Sequence, residues 1–203
     1  LPTSCDFTVF GGTGDLALAL NRRRKKSASR VAKISPGRVS PTRISPIVAA
    51  DFAPSMLARA SSKIAGEDIV LLEADALDLP FGQNQFDLVV SAFGFRNLAN
   101  YDNGLAEIFR VIRPGGQMGI LEFSEPDGLL GPLYGFYFRK ILPAVGSMLG
   151  GVKGPYSYLP ASVGRFPSPR EMQAQMESAG FTKVHWTAYT GGIAGLYSAS
   201  KPL

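Results

Sequence analysis

Cysteine and histidine are each present once, as Cys5 and His185. One cysteine excludes a disulfide framework, and a lone histidine beside it excludes a Cys/His metal cluster, so no metal site is expected. The longest apolar region, residues 129–152, is interrupted by Pro132, Arg139, Lys140 and Pro143. It therefore lacks the unbroken run of about 18 residues that spanning a bilayer requires. The opening Leu-Pro-Thr-Ser-Cys-Asp has no basic segment followed by an apolar stretch. A soluble protein of a reducing, cytoplasmic compartment is expected. Disorder throughout is excluded too, because 45% of the 203 residues are hydrophobic and only 18% are charged, enough to bury a core.

Acidic residues are missing from one stretch. Residues 21–46 carry nine basic side chains and no acid, so the formal charge of +5 hides a remainder with a net charge of −4. Nucleic-acid binding by the globular part is therefore not expected. The stretch contains Ile34-Ser-Pro, Val39-Ser-Pro and Ile44-Ser-Pro at five-residue intervals. A basic block broken by prolines predicts a solvated, disordered loop inserted in the domain, able to touch an anionic surface.

Around that insert, strand-like and helix-like segments alternate. Strands are expected at residues 7–10, 47–50, 69–73, 86–92 and 117–123, with helices at 54–65, 103–112 and 169–179. A helix also begins at 16–20, Arg113-Pro114-Gly115-Gly116 ends the one before it, and strands at 183–189 and 193–200 join through Gly191-Gly192. The alternation implies an α/β fold with a doubly wound, mostly parallel sheet and an antiparallel C-terminal hairpin.

In such a sheet, ligands bind at the carboxyl ends of the strands. There the chain places the glycine turn Gly11-Gly12-Thr13-Gly14, then Asp51 after the second strand and Asp75-Ala76 after the third. A glycine turn admits a ligand close to the backbone, and a strand-end acid accepts hydrogen bonds from ribose hydroxyls. Nucleoside binding is expected, with N-capping of the next helix as the alternative role for Asp51. His185, between Val184 and Trp186 in a strand, reads as structural.

The narrower motifs are Glu73-Ala-Asp-Ala-Leu-Asp-Leu-Pro-Phe81, Phe86-Asp-Leu-Val-Val-Ser-Ala-Phe-Gly-Phe-Arg-Asn97, Phe109-Arg-Val-Ile-Arg-Pro-Gly-Gly116, Leu121-Glu-Phe-Ser124 and Tyr156-Ser-Tyr-Leu-Pro160. Together they resemble the menaquinone/ubiquinone biosynthesis C-methyltransferases, over about residues 47–201. The resemblance implies one Rossmann-like class I methyltransferase domain over residues 1–203, shortened at its N-terminus, that moves a methyl group from S-adenosylmethionine to a ring carbon of a polyprenylated quinol. By the same resemblance, Gly12, Thr13, Gly14, Asp51, Asp75, Ala76 and Ala92 hold the cofactor. Arg96 and Asn97 serve catalysis on the acceptor side, while Tyr156 and Tyr158 line the quinol pocket. No buried carboxylate offers itself as a base, so the proton is expected to leave through a water or hydroxyl polarised by Arg96, whose alternative role is to pair with an acid such as Asp102 and hold the loop. The apolar residues 129–149 are expected to cover the prenyl chain or rest on a membrane surface, peripheral to the inner membrane.

Three departures from the family pattern bear on the cofactor half of the site. Thr8 stands where relatives place an acid, Ala92 where many place a serine, and 35 residues separate Asp15 from Asp51, against the roughly 20 usual between glycine turn and acid. The segment from Asp6 to Ala17 is also similar to the nucleotide loop of glucose-6-phosphate dehydrogenases, which leaves an NADP-dependent dehydrogenase as a second reading. A third is an inactive methyltransferase fold that binds lipid or polyanion through residues 21–46.

Overall fold

The computed structural model describes residues 5–10, 14–34, 46–124 and 159–203. Strands β1 (Cys5–Phe10), β2 (Ile47–Asp51), β3 (Ile69–Glu73), β4 (Phe86–Ala92), β5 (Ile112–Phe123), β6 (Thr182–Tyr189) and β7 (Ala194–Ser200) form one sheet in the order β3-β2-β1-β4-β5-β7-β6. The pairs from β3 to β5 are parallel, and β7 runs antiparallel to both β5 and β6. The reversal of strand order at β1 and β4 is the place where such a sheet opens a crevice.

The helices are α1 (Asp15–Ile34), α2 (Pro54–Ile64), α3 (Tyr101–Val111), α4 (Leu159–Arg165) and α5 (Pro169–Ser178). Local chemistry sets their starts. Pro54 opens α2 at a position whose N–H needs no partner, and Asn100 caps α3 by accepting from the Asn103 N–H. Ser168 and Glu171 form a reciprocal capping box on α5.

The expected strands are all present, with ends that differ by a residue or two except for β5, which starts at Ile112, five residues before the expected 117, and runs through the Arg113-Pro114-Gly115-Gly116 turn. The basic stretch differs more. Instead of a loop from residue 21, α1 continues through Arg22, Arg23, Arg24, Lys25 and Lys26 and stops at Ile34, one residue before the first Ser-Pro pair. Arginine and lysine are good helix formers, and prolines, which do break helices, begin only at Pro36. Acids outside the block also anchor its start. Glu67 accepts from Asn21 Nδ2 and Lys25 Nζ, both at 2.7 Å, and Asp68 accepts from Arg24 Nη2 at 3.2 Å. Residues 35–45, with the remaining Ser-Pro repeats, lie outside the described residues.

Two apolar layers hold the sheet. One face packs Val48, Phe86, Val89, Met118, Ile120 and Tyr197 against Leu105 and Ile108 of α3 and Met172 and Met176 of α5. On the other face Ala17 of α1 meets Ile47 and Ala49, with Leu16, Leu20 and Val90 packed around them.

Candidate active site at the carboxyl ends of the sheet

Phe10 pairs with Ala50, and Asp51 pairs with Glu73, so the exits of β1, β2 and β3 lie side by side. The long path between Gly14 and β2 does not separate these ends. The turn residues Gly12 and Thr13 themselves lie outside the described residues. Gly14 is described and buried, with φ of +82°, and a Cβ there would stand 3.1 Å from the Ala60 Cβ. Its carbonyl accepts from Leu18 as α1 begins. Gly14 therefore serves the close approach of α1 to α2.

Asp51 Oδ1 accepts the Ala53 N–H at 2.8 Å, and its carbonyl accepts the Ala74 N–H at 3.2 Å. The cap residue of α2 is Ala53 rather than Asp51. The carboxylate thus shapes the β2–α2 turn while remaining half-buried at the crevice. Asp75 is exposed, accepts the Leu77 N–H at 2.9 Å, and stands next to Ala76, which packs on the core. Phe52, 73% exposed, adds an apolar ring directly after Asp51. A carboxylate to accept from a ribose diol, a second acid to accept from an adenine amine and small or apolar flanking side chains make a lining that fits an adenosyl group.

The fourth strand ends at half-buried Ala92 and is followed by Phe93, whose φ of +57° is unusual for a bulky residue. Its N–H donates to the Leu121 carbonyl at 2.8 Å, and its ring lies 4.5 Å from that of Phe123. A short 3₁₀ turn, Phe95–Asn97, follows. Asn97 is exposed on it, whereas Arg96 is 4% exposed. Arg96 does not pair with Asp102. Its Nη1 lies 2.9 Å from Glu122 Oε2, and its backbone N–H donates to Glu122 Oε1 at 3.0 Å.

Glu122 corrects a second expectation. It is a carboxylate with no exposed surface, placed at the carboxyl end of β5. Burial pushes its pKa above the ordinary carboxylate value, and the N–H groups of Arg96 oppose that rise without cancelling it. Nearby, burial and the charge of Glu122 raise the Tyr197 phenol, whose hydroxyl has no hydrogen-bond partner among the described residues. One signal for Glu122 was available in the sequence: alternation along β5 puts it on the face of Met118 and Ile120, where an acid stands out. Tyr156, Tyr158 and residues 129–149 lie outside the described residues. Among the described residues, no group of three or more His, Cys, Asp or Glu side chains could hold a metal, and no helix is long and apolar enough to cross a membrane.

The profile of the ubiE/COQ5 methyltransferase family matches residues 3–201. The chain belongs to this family. A demethylmenaquinone methyltransferase of Thermus thermophilus is 42% identical over 94% of this chain and 80% of its own length. A ubiquinone/menaquinone biosynthesis C-methyltransferase of Allorhizobium ampelinum is 39% identical over 95% of this chain and 70% of its own. Among solved structures, an S-adenosylmethionine-dependent methyltransferase of Aquifex aeolicus aligns with a TM-score of 0.57 at 17% identity, covering 98% of this chain and 84% of its own. Membership makes the chain an S-adenosylmethionine-dependent methyltransferase of the class I fold. The family match includes the dehydrogenase-like opening, so that opening belongs to a methyltransferase domain and the NADP reading falls away.

Proposed function

We propose that this ubiE/COQ5 family member methylates a ring carbon of a polyprenylated quinol, with demethylmenaquinol as its acceptor. The carrying observation is the 42% identity, over nearly the whole chain, to a protein named for demethylmenaquinone methylation. When bound, S-adenosylmethionine supplies an electrophilic methyl group on a sulfonium.

The chain's own residues have three tasks. The first is to bind: Asp51 accepts from the ribose hydroxyls, Asp75 and Ala76 meet the adenine edge, and Gly12, Thr13 and Ala92 leave room for the backbone approach. A second task is charge control. A quinol carbon becomes a nucleophile as its neighbouring hydroxyl loses a proton, and the guanidinium of Arg96 stabilises the negative charge that develops on that oxygen. The hydroxyl proton passes to water held by this guanidinium. As the carbon takes the methyl group the carbon–sulfur bond breaks, and the ring carbon then gives up its own hydrogen as a proton while the oxygen is reprotonated, so one proton is released in all. Orientation is the third, shared by Asn97 on the exposed turn and by Tyr156 and Tyr158 on the acceptor. The apolar residues 129–149 receive the prenyl chain at a membrane surface.

The test is methyl transfer from radiolabelled S-adenosylmethionine to reduced short-chain analogues of demethylmenaquinone and of the methoxy-benzoquinone, under anaerobic conditions. Faster transfer to the naphthoquinol is expected. Preference for the benzoquinol would move the acceptor assignment, and cofactor binding with no transfer to either would favour the inactive scaffold.

A further inference from the structure

Glu122 places a charge where the sheet otherwise presents Met118 and Ile120 to the core. An acid in that position is costly, and an apolar residue of similar volume often serves stability as well or better. Its contacts all lead to the acceptor side of the crevice. Oε1 accepts the Arg96 backbone N–H at 3.0 Å, while Oε2 accepts Arg96 Nη1 at 2.9 Å and the Phe123 N–H at 3.3 Å. The same Nη1 donates to the carbonyl of Phe93, the residue held at φ of +57°. The guanidinium carbon lies 5.4 Å from the centre of the Phe123 ring, which itself packs on Phe93. One carboxylate therefore fixes the guanidinium, the strained turn and the aromatic pair together.

A guanidinium has five N–H donors in a rigid fork, so fixing one corner fixes the direction of the rest. The Nε of Arg96 is buried and has no acceptor among the described residues. A buried unpaired donor is costly unless something supplies its acceptor. We propose that Glu122 is a positioning residue that aims the Nε edge of Arg96 at the hydroxyl oxygen of the methyl acceptor, directly or through one water. This rests on the quinol reading above.

The test joins a spectroscopic and a kinetic readout on the full chain. The Arg96 Nε–H resonance, assigned by its loss in Arg96→Lys, is followed while reduced demethylmenaquinone analogue is added to protein saturated with S-adenosylhomocysteine. The wild-type resonance is expected to shift, and the Glu122→Gln resonance to stay. Glu122→Gln is also expected to bind S-adenosylhomocysteine as the wild type does, yet to lose on the order of 100-fold in kcat with KM little changed, the cost of a misplaced group. Glu122→Asp, which keeps the charge but retracts it, should fall between the two.

A wild-type resonance that stays still while the analogue binds and is methylated would overturn the inference and leave the quinol reading intact. So would a Glu122→Gln protein with one cofactor site per chain and wild-type kcat. If Glu122→Gln does not fold, wild-type kcat in Glu122→Asp overturns it instead, and a large loss of kcat at unchanged cofactor affinity supports it. A wild type that neither binds nor methylates the analogue removes the quinol reading, and this inference with it.

Discussion

The Oδ1 of Asp51 turns the chain out of β2 by accepting the Ala53 N–H, so removing the side chain would disturb the turn and, with it, the proposed ribose contact. Asparagine separates the two roles, since its amide oxygen can still accept that bond but carries no charge. Asp51→Asn should keep the melting temperature close to wild type and weaken S-adenosylmethionine roughly 10- to 100-fold, the range of about 1.5–3 kcal/mol for a hydrogen bond to a charged group. Titration calorimetry beside a thermal melt checks both halves, and unchanged affinity would remove the ribose assignment. The places of Asp51 and Asp75 in turns at the strand exits were legible in the sequence, because Asp51 ends an apolar run and Asp75 comes two residues after Glu73, the last residue of β3. The partner of Arg96 was not, because Asp102 is near in sequence whereas Glu122 becomes its neighbour only when β5 is laid beside β4.

Most elements could be read from their apolar period and stops, although α4 was not among the expected helices and β5 starts five residues early; the largest difference, in α1, came from weighing charge above helix propensity. The helix α1 carries its basic block because Glu67 and Asp68, in the turn after α2, lie within reach of Lys25 and Arg24, contacts that local sequence does not reveal. Gly14, where α1 begins, gives a sharp test. Alanine there meets both a left-handed backbone and the Ala60 Cβ at 3.1 Å, whereas Gly66, with φ of +79°, has no atom within 4 Å of the added carbon. Gly14→Ala should cost about 1–3 kcal/mol and more than Gly66→Ala, whose penalty is backbone strain alone. For a chain of this size that is roughly 2–4 °C of melting temperature per kcal/mol, measurable by calorimetry.

A second element-scale test concerns α3. Glu107 accepts from Arg110 Nε at 2.8 Å and from the Leu79 N–H at 3.0 Å, while Arg110 Nη1 and Nη2 donate to the Phe81 and Leu79 carbonyls. These bonds tie the loop after Asp75 to the helix. The Arg110 hydrogen bond holds the Glu107 pKa below its usual value of 4.5. Because the folded pKa is the lower one, this stabilisation is complete above that usual value and is lost as pH falls below it toward the folded pKa. The acid limb of a melting-temperature profile should therefore be shallower in Glu107→Gln than in wild type, and equal slopes would contradict the assignment.

Across the whole molecule, the mostly parallel sheet and its C-terminal hairpin followed from alternation and the C-terminal glycines, but the placement of β7 between β5 and β6 and the side chains that close this antiparallel edge did not. Lys201 does much of that. Its ammonium donates to Asn84 Oδ1, the Phe109 carbonyl and the Ile112 carbonyl at 2.7–2.8 Å, and lies 4.5 Å from the centre of the Phe109 ring. It thus joins the residues after β7 to the end of α3 and the start of β5. Lys201→Met keeps the aliphatic stem and removes the donors, and should lower stability by about 2 kcal/mol, or roughly 4–8 °C, with cofactor affinity unchanged.

The placement of β7 between β5 and β6 has a consequence for synthesis. A nascent chain that has already made β1 through β6 still shows the ribosome's surroundings a β5 edge with open amides and a β6 with no neighbour to zip against. Tyr197, which pairs with Ile120 and whose phenol feels the charge of Glu122, arrives with that last insertion. Because β7 is translated some 70 residues after β5, a product stalled or clipped before it is expected to keep the exits of β1, β2 and β3 side by side while leaving β5, and the Glu122 on it, with an open edge.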